Sequence, residues 1–257
     1  MSPFRIRLVT FDVLHTLITP RDPIHVQYSM VFEPYLGKLP PDEVKKSFKI
    51  ALKTLQVEKP VYEQGSQAWW GEVIRRTASG AGANIQALDT SLSDIVTSLM
   101  KRFSSREGYR AFDDAIPTIK RLHDLQVATA VVSNSDSRSR SVLQDLGFPE
   151  YLDPIVLSEE EGIEKPSEEI YRRVLEQVSR KKKLASQLEP TQCLHVGDEL
   201  EADYYGARNT GMEALLLRRT GKDGEQAHVE DGEDLDGVRA VHGLQDVVKY
   251  IQRLPRL

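Results

Sequence analysis

Arg7-Leu-Val-Thr-Phe-Asp-Val-Leu-His-Thr-Leu17 is the stretch of sequence that decides the fold. Its apolar run, Leu8 to Phe11, has no helix-capping residues and is followed by a carboxylate, so it predicts a short buried strand ending at Asp12. In open parallel α/β sheets, ligands bind beyond the carboxyl ends of the strands. Asp12 therefore stands where a reactive carboxylate is expected.

The pattern of the second half of the chain favours a parallel sheet. Short apolar runs alternate there with segments of helical spacing. We predict strands at residues 128–132, 155–157, 194–196 and 214–217, and helices at 114–125, 137–146, 168–182, 201–209 and 244–253. Such alternation is typical of βαβ crossovers, in which helices cover both faces of a parallel sheet.

The stretch between these two regions has a different pattern. Its apolar residues recur at helical spacing in four segments, which are residues 24–36, 42–55, 67–77 and 88–103. We therefore predict an α/β fold class with a doubly wound, Rossmann-like parallel sheet core, formed by residues 1–18 and 108–257. Residues 19–107 would form an inserted helical bundle.

Composition excludes several function classes. The 257 residues are 40% apolar and 28% charged, which is typical of a globular protein. The net charge of −5 gives no general attraction to nucleic acid or to anionic membranes, and no run approaches the roughly 20 apolar residues of a membrane span. A single cysteine, Cys193, and the absence of a signal-peptide pattern lead us to expect a cytoplasmic protein, with nuclear entry left open.

Asp12 and Thr16 are the first candidate functional residues. A carboxylate is ionised at neutral pH, so Asp12 could act as a nucleophile, although a turn or helix-capping role would explain it in isolation. The hydroxyl of Thr16, in the tight turn that follows, could position the group being transferred.

Two further polar clusters follow apolar runs or turn signals. Ser133 and Asn134 follow a predicted strand, where a hydroxyl and backbone N–H groups can bind an anion, and a helix cap would look the same. Lys165 precedes Pro166 and is therefore expected to be extended. It could neutralise a phosphate or hold a carboxylate ionised, or it could be an ordinary exposed lysine.

Gly197-Asp198 together with Asp203 gives the strongest signal. A strand, a glycine turn and then two acids place carboxylates at a strand tip and in the first helical turn. With Asp12 they would offer the few hard oxygen ligands that Mg²⁺ prefers. A helix cap would explain Asp198 alone but not the set. His195, inside the preceding apolar run, is interpreted as a core histidine whose ring nitrogens are satisfied.

Taken together, these residues resemble the haloacid dehalogenase superfamily over nearly the whole chain. The four motifs occur in the family order, and the helical insertion after the first motif resembles the family's cap of the first type. Gln67-Ala-Trp-Trp70 and His195-Val-Gly-Asp-Glu199 are similar to eukaryotic haloacid dehalogenase-like hydrolase domain-containing proteins.

The resemblance implies a mobile helical cap and Mg²⁺-dependent phosphoryl transfer to water through an aspartyl-phosphate at Asp12. Ser133 and Lys165 would hold the phosphoryl oxygens, and Thr16 and Asn134 would join them in binding a small phosphorylated or otherwise anionic substrate. Asp198 and the main-chain carbonyl of Leu14 would join Asp12 on the metal. Asp203 would orient Lys165 or a metal-bound water.

Leu14 departs from the family pattern. Family phosphatases have a second aspartate there, which protonates the leaving group, and His15 replaces the usual glycine. A leucine still offers its carbonyl to a metal but cannot transfer a proton. Because positioned acid–base groups contribute about 10²–10⁴-fold, we expect weak activity on ordinary phosphomonoesters. Acyl or aryl phosphates, whose leaving groups need little protonation, would suffer least.

Two alternatives remain open from the sequence. Leu14 also suits a catalytically impaired member that binds phosphate or a protein partner. Metal-independent 2-haloacid dehalogenases carry a bulky residue at this position, because a halide leaves without a proton, but they lack the acids seen here at Asp198 and Asp203. We expect no nucleic-acid or membrane partner, and the sequence does not predict an oligomeric state.

Overall fold

The computed structural model describes residues 5–62, 65–181, 188–225, 229 and 232–254. The chain divides into two compact units. The core unit comprises Met1–Thr19 and Ala111–Leu257, and the helical unit comprises Pro20–Arg110. The bounds drawn from the sequence differ from these by one to three residues.

Within the described residues, the strands are β1 (Leu8–Phe11), β2 (Ile18–Pro20), β3 (Tyr109–Ala111), β4 (Ala128–Ser133), β5 (Leu152–Leu157), β6 (Cys193–Gly197), β7 (Glu213–Leu217) and β8 (Ala240–Val241). Six of them form one parallel sheet in the order β5-β4-β1-β6-β7-β8. This confirms the predicted doubly wound, Rossmann-like sheet. β2 and β3, which are too short to show a strand pattern in the sequence, form a separate two-stranded sheet.

The helices of the helical unit are α1 (Ile24–Leu36), α2 (Pro41–Glu58), α3 (Ser66–Gly80) and α4 (Ile85–Arg102). Those of the core unit are α5 (Ala115–Asp124), α6 (Arg138–Asp145), α7 (Ser158–Glu161), α8 (Glu168–Lys181), α9 (Gly206–Asn209) and α10 (Gln245–Arg253). The predicted helix over residues 201–209 begins as a π-helical segment, Leu200–Tyr205, and α9 continues it. None of the helices in the described ranges combines the length and apolar character that crossing a bilayer would require.

β1 lies at the centre of the sheet, and all four of its residues are buried. A strand covered on both faces reads as a continuous apolar run rather than an alternating one. Phe11 is in register with Val131 of β4 and Val196 of β6, and the N–H of Asp12 donates to the carbonyl of Val196 at 2.9 Å. The carboxyl ends of β4, β1 and β6 therefore lie side by side at one edge.

The helical unit is held together by its own apolar cluster. Tyr28 and Phe32 of α1 are buried with edge-to-face packing, their ring centroids 5.7 Å apart. Trp69 of α3 fills the same cluster and donates its indole N–H to the carbonyl of Lys59 at 2.9 Å. The side chain of Asn84 caps α4 by accepting the N–H of Ala87 at 3.0 Å. This unit thus has a core of its own.

We predict that Phe32→Ala lowers the free energy of unfolding of the helical unit by about 3–5 kcal/mol, because Phe32 is fully buried and the truncation leaves a cavity. Met30→Ala on the same helix is the control, since Met30 is 51% exposed and should change stability by less than about 0.5 kcal/mol. Urea unfolding followed by tryptophan fluorescence measures this, because both tryptophans, Trp69 and Trp70, lie in this unit. Equal effects of the two substitutions would contradict the described packing.

Candidate active site

The candidate site lies at the carboxyl edge of the three central strands. Asp12 directly follows β1, Ser133 is the last residue of β4, and Asp198 directly follows β6. The strand registers bring these three residues to neighbouring positions, as expected for the ends of adjacent parallel strands. Lys165 and Asp203, from the segments after β5 and β6, reach the same edge.

Lys165 joins two of the carboxylates. Its Nζ donates to Oδ1 of Asp12 at 2.7 Å and to Oδ1 of Asp203 at 2.6 Å, and the residue is only 4% exposed. Burial excludes the alternative that Lys165 is an ordinary exposed lysine. Burial by itself would lower the pKa of Lys165, but the carboxylates of Asp12 and Asp203 raise it well above its usual value. The ammonium accordingly stays charged.

Asn134 fixes the backbone of Lys165. Its side-chain amide donates to the Lys165 carbonyl at 2.8 Å, and its side-chain oxygen accepts the Lys165 N–H at 2.7 Å. Both polar atoms of this side chain, which the sequence assigned to substrate binding, are thus engaged with the chain itself. Asn134 serves the site by placing Lys165.

Asp203 is a fully satisfied carboxylate. Its Oδ1 accepts from Lys165 and lies 3.0 Å from Nε2 of His195, while its Oδ2 accepts the N–H of Glu199 at 2.9 Å. Burial by itself would raise the pKa of Asp203, but Lys165 and His195 together hold it well below the usual range. Asp203 is therefore ionised, and neither of its oxygens lacks a partner.

The carboxylate of Asp198, unlike that of Asp203, is not paired with a cationic side chain in the described part of the chain. It is 2% exposed, its Oδ2 has no hydrogen-bond partner among the described residues, and its Oδ1 lies 3.5 Å from the Thr16 hydroxyl. Burial and then the charges of Asp12 and Asp203 raise its pKa well above the usual value. A buried carboxylate without a partner is costly to keep ionised.

Asp12 is compensated by fewer partners than Asp203 and by more than Asp198. Burial raises the pKa of Asp12 to about 6, with Lys165 opposing the shift and the charge of Asp203 adding to it. In its ionised form Asp12 is thus a carboxylate stabilised chiefly by one ammonium. Further positive charge close to it would favour that form.

These carboxylates fit a hard divalent cation. One oxygen from each of Asp12, Asp198 and Asp203 lies within 4.8 Å of the others. When all three carboxylates are ionised, they and the Lys165 ammonium have a net formal charge of −2, which a divalent cation would neutralise. Asp203 already accepts hydrogen bonds at both of its oxygens, whereas Asp12 and Asp198 each have fewer partners among the described residues. Asp12 and Asp198 are therefore the better candidates to hold the cation, and few carboxylate ligands suit Mg²⁺.

The turn after Asp12 positions Leu14 and Thr16. The N–H groups of Leu17 and Ile18 both donate to the carbonyl of Val13, and His15 takes a positive φ of 58°. This is the left-handed conformation that glycine adopts without strain, so a glycine would also fit here. Leu14 is half-buried and Thr16 is buried beside Asp198.

Ser133 is the last residue of β4 and is only 3% exposed. Its hydroxyl therefore lies at the carboxyl edge of the sheet, where a ligand that enters the site could contact it.

Two arginines after β7 also support the site, and sequence reasoning missed them. Arg218 donates to the carbonyl of Asp198, and Arg219 donates to the carbonyl of Thr16 at 3.0 Å. Arg219 is held by the carboxylate of Asp114, at 2.9 and 3.2 Å, and lies 3.7 Å over the ring of Phe112. The available signal was their position directly after a buried strand that ends at the same sheet edge as β1.

Gly197 is required for the approach of Asp203. A Cβ at position 197 would overlap the Asp203 carboxylate. We predict that Gly197→Ala destabilises the protein by about 1–3 kcal/mol, as overpacking does, and displaces Asp203 from Lys165. Gly71→Ala is the matched control: Gly71 lies within α3, a Cβ there has its nearest neighbour at 3.8 Å, and alanine should be neutral or stabilising. Thermal unfolding of the two variants tests this, and equal melting temperatures would contradict it.

Comparison with known proteins identifies the family of this chain. The family model described as haloacid dehalogenase-like hydrolase matches residues 6–211, which include Asp12, Ser133, Lys165 and Asp198. Among curated proteins, the chain is similar to the haloacid dehalogenase-like hydrolase domain-containing protein 3 of Bos taurus, with 30% identity over 218 residues, covering 83% of this chain and 82% of that protein.

Solved structures with the same fold include enzymes of two kinds. A 2-haloacid dehalogenase from Pseudomonas syringae has a TM-score of 0.62 and 21% identity, covering 96% of this chain and 99% of its own. An HAD phosphatase from Thermococcus onnurineus has a TM-score of 0.60 and 20% identity, covering 98% and 100%. These identities are low, so the likeness shows the shared fold alone. The family model and the curated relative together show that the chain belongs to the haloacid dehalogenase-like hydrolases.

Proposed function

We propose that this protein is a Mg²⁺-dependent hydrolase that transfers a phosphoryl group from a small anionic substrate to Asp12 and then to water. The observation that carries the proposal is the environment of Asp198. It is buried beside Asp12, one of its oxygens lacks a partner among the described residues, and the ammonium of Lys165 pairs with Asp12 and Asp203 instead. A bound divalent cation would satisfy that oxygen.

The chain's own residues divide the reaction between them. The carboxylate of Asp12 attacks phosphorus, the bond from phosphorus to the leaving oxygen breaks, and its electron pair stays on that oxygen. Lys165 and the hydroxyl of Ser133 hold the phosphoryl oxygens. Water then attacks the phosphorus of the aspartyl-phosphate, and the bond from phosphorus to the Asp12 oxygen breaks. The protons of the water leave on the released phosphate, and the Asp12 carboxylate is restored.

The metal would have a single role. Asp12, Asp198 and the main-chain carbonyl of Leu14 would hold Mg²⁺, whose charge offsets the repulsion between an anionic nucleophile and an anionic substrate. Thr16 supports Asp198 with its hydroxyl, and Arg218 binds the Asp198 carbonyl. Asp203 orients Lys165 and is not a ligand in this proposal.

Leu14 decides which substrates suit this site. Its side chain cannot protonate a leaving group, so the leaving oxygen must depart as an anion. Acyl phosphates and aryl phosphates release stable anions, whereas alkyl phosphates release a strongly basic alkoxide. We therefore propose that the protein acts weakly on ordinary phosphomonoesters and better on acyl or aryl phosphates.

Leu14 also favours a second candidate, a catalytically impaired member that binds phosphate or a protein partner. The third candidate, metal-independent dehalogenation of a 2-haloacid, does not need a proton donor either. However, a metal-independent reaction would leave the buried Oδ2 of Asp198 without a partner among the described residues. A buried polar atom that stays unsatisfied is costly, and this disfavours the third candidate.

Turnover of acetyl phosphate, p-nitrophenyl phosphate and a simple alkyl phosphate, with Mg²⁺ and with EDTA, tests the proposal. We expect Mg²⁺-dependent turnover that falls in that substrate order and is lost in Asp12→Asn. Leu14→Asp should raise the rate on the alkyl phosphate most, by up to about 10²–10⁴-fold.

The other outcomes of this assay discriminate among the candidates. Activity unchanged in Asp12→Asn would reject the nucleophile. Turnover only in Leu14→Asp would favour the impaired-member candidate. Halide release from a 2-haloacid in EDTA would favour dehalogenation.

Metal removal gives a separate prediction for stability. The raised pKa of Asp198 means that its carboxyl group lowers the stability of the folded protein as pH rises. The cost is absent below the unfolded-state pKa of about 3.9, grows as pH rises from there towards the raised folded-state pKa, and is complete above it. In EDTA, Asp198→Asn should therefore melt at a higher temperature than the wild type at pH 8, and the difference should vanish near pH 4.

Adding Mg²⁺ at pH 8 should raise the melting temperature of the wild type but not that of Asp198→Asn. Glu201→Gln is the matched control, because Glu201 is exposed in the same segment and should leave both responses unchanged. An identical response to Mg²⁺ in the wild type and in Asp198→Asn would reject Asp198 as a metal ligand.

A further inference from the structure

His195 occupies a position where a polar ring is unexpected. It lies in the middle of β6, is fully buried, and has apolar neighbours, Leu194 and Val196, on either side in the strand. A buried imidazole is costly unless both of its nitrogens are satisfied. Both are satisfied: Nδ1 lies 2.8 Å from the Thr10 hydroxyl and Nε2 lies 3.0 Å from Oδ1 of Asp203.

We propose that His195 is a positioning residue, which fixes the Asp203 carboxylate beneath Lys165 and thereby holds the Lys165 ammonium on Asp12. The inference deepens the proposed function and rests on it. His195 touches neither substrate nor nucleophile in this role, and it acts through Asp203.

The direction of the hydrogen bonds follows from the partners. The ionised carboxylate of Asp203 can only accept, so Nε2 of His195 must carry the hydrogen. Burial lowers the pKa of His195 despite the opposing effect of Asp203, which favours the neutral ring. A neutral ring protonated at Nε2 has an acceptor at Nδ1, to which the Thr10 hydroxyl donates.

The strand register brings the Thr10 hydroxyl to His195. Thr10 of β1 and His195 of β6 are partners on adjacent parallel strands, so the Thr10 side chain is next to the ring. Hydrogen bonds then run from Thr10 to His195 and from His195 to Asp203, and the Lys165 ammonium donates both to Asp203 and to Asp12. One tautomer satisfies every member of this network.

Tyr171 holds the ring from the side. Its ring packs edge-to-face on His195 with centroids 5.1 Å apart, and its hydroxyl donates to the carbonyl of Ala202 at 2.6 Å. Tyr171 therefore restrains both the imidazole and the segment that carries Asp203. Without the imidazole, Oδ1 of Asp203 would keep Lys165 as its donor but lose the contact that fixes its rotation.

Three substitutions separate positioning from packing. His195→Phe keeps a ring but removes both hydrogen bonds, His195→Gln keeps an N–H donor for Asp203, and Thr10→Val removes the donor to Nδ1. For acetyl phosphate with Mg²⁺, His195→Phe should lower kcat by about 10- to 100-fold, as loss of a supporting partner does at other sites. His195→Gln should retain most of the wild-type kcat, and Thr10→Val should lie between the two. His123→Phe is the control, since His123 is exposed on α5 and stacks on Tyr151.

Nuclear magnetic resonance gives a readout that does not depend on activity. With ¹⁵N-labelled histidine, the ring of His195 should be a neutral Nε2–H tautomer at pH 8. With ¹⁵N-labelled lysine, the Lys165 ammonium signal should shift in His195→Phe and stay near its wild-type position in His195→Gln. An Nδ1–H tautomer, an imidazolium, or a folded His195→Phe variant with wild-type kcat and an unshifted Lys165 signal would overturn the proposal.

If His195→Phe does not fold, the tautomer and the His195→Gln and Thr10→Val variants decide the question. Loss of most of the wild-type kcat in a folded His195→Gln variant would then overturn the proposal. A wild type inactive on acetyl phosphate would contradict the proposed function, while the tautomer and the lysine signal would still decide the role of His195.

Discussion

The ion pairs of Lys165 with Asp12 and Asp203 are the constraint on which the rest of the site depends. Three carboxylates share one small buried region, and desolvation disfavours each of them in its charged form. One ammonium compensates two of the three. Breaking such a pair would leave an uncompensated buried charge, so the position of Lys165 must be held firmly.

The surrounding chain holds it by hydrogen bonds to main-chain groups and by close packing. The Asn134 amide binds the backbone of Lys165 on both sides, Gly197 leaves room for Asp203, and Arg219 binds the carbonyl of Thr16. None of these contacts involves a reacting group. They belong to the supporting layer that makes a buried charge cluster rigid.

The difference between Asp203 and Asp198 gives the site its chemical character. Both are buried in the segment that follows β6, yet Asp203 has partners for both oxygens, whereas an Asp198 oxygen has no partner among the described residues. A satisfied carboxylate orients its neighbours, and an unsatisfied one is a place for a cation. Under the proposed function, Leu14 would limit the chemistry further, because its side chain cannot donate a proton. The same fold occurs in a dehalogenase and in a phosphatase among the structural neighbours, so the fold by itself does not decide the reaction.

The amino-acid sequence by itself determined the parallel sheet, the inserted helices and the places where polar residues follow strands, because periodicity and turn chemistry are local. The ends of β1, β4 and β6 and the four helices of the helical unit were predictable for this reason. Only the tertiary structure decided which of these residues are hydrogen-bond partners. Asn134 meets Lys165 across 31 residues, Thr10 meets His195 across 185 and Arg219 meets Thr16 across 203. Hydrogen bonds between residues so far apart leave no spacing pattern in a single sequence. Burial makes an uncompensated carboxylate costly, and burial exists only once the chain has folded.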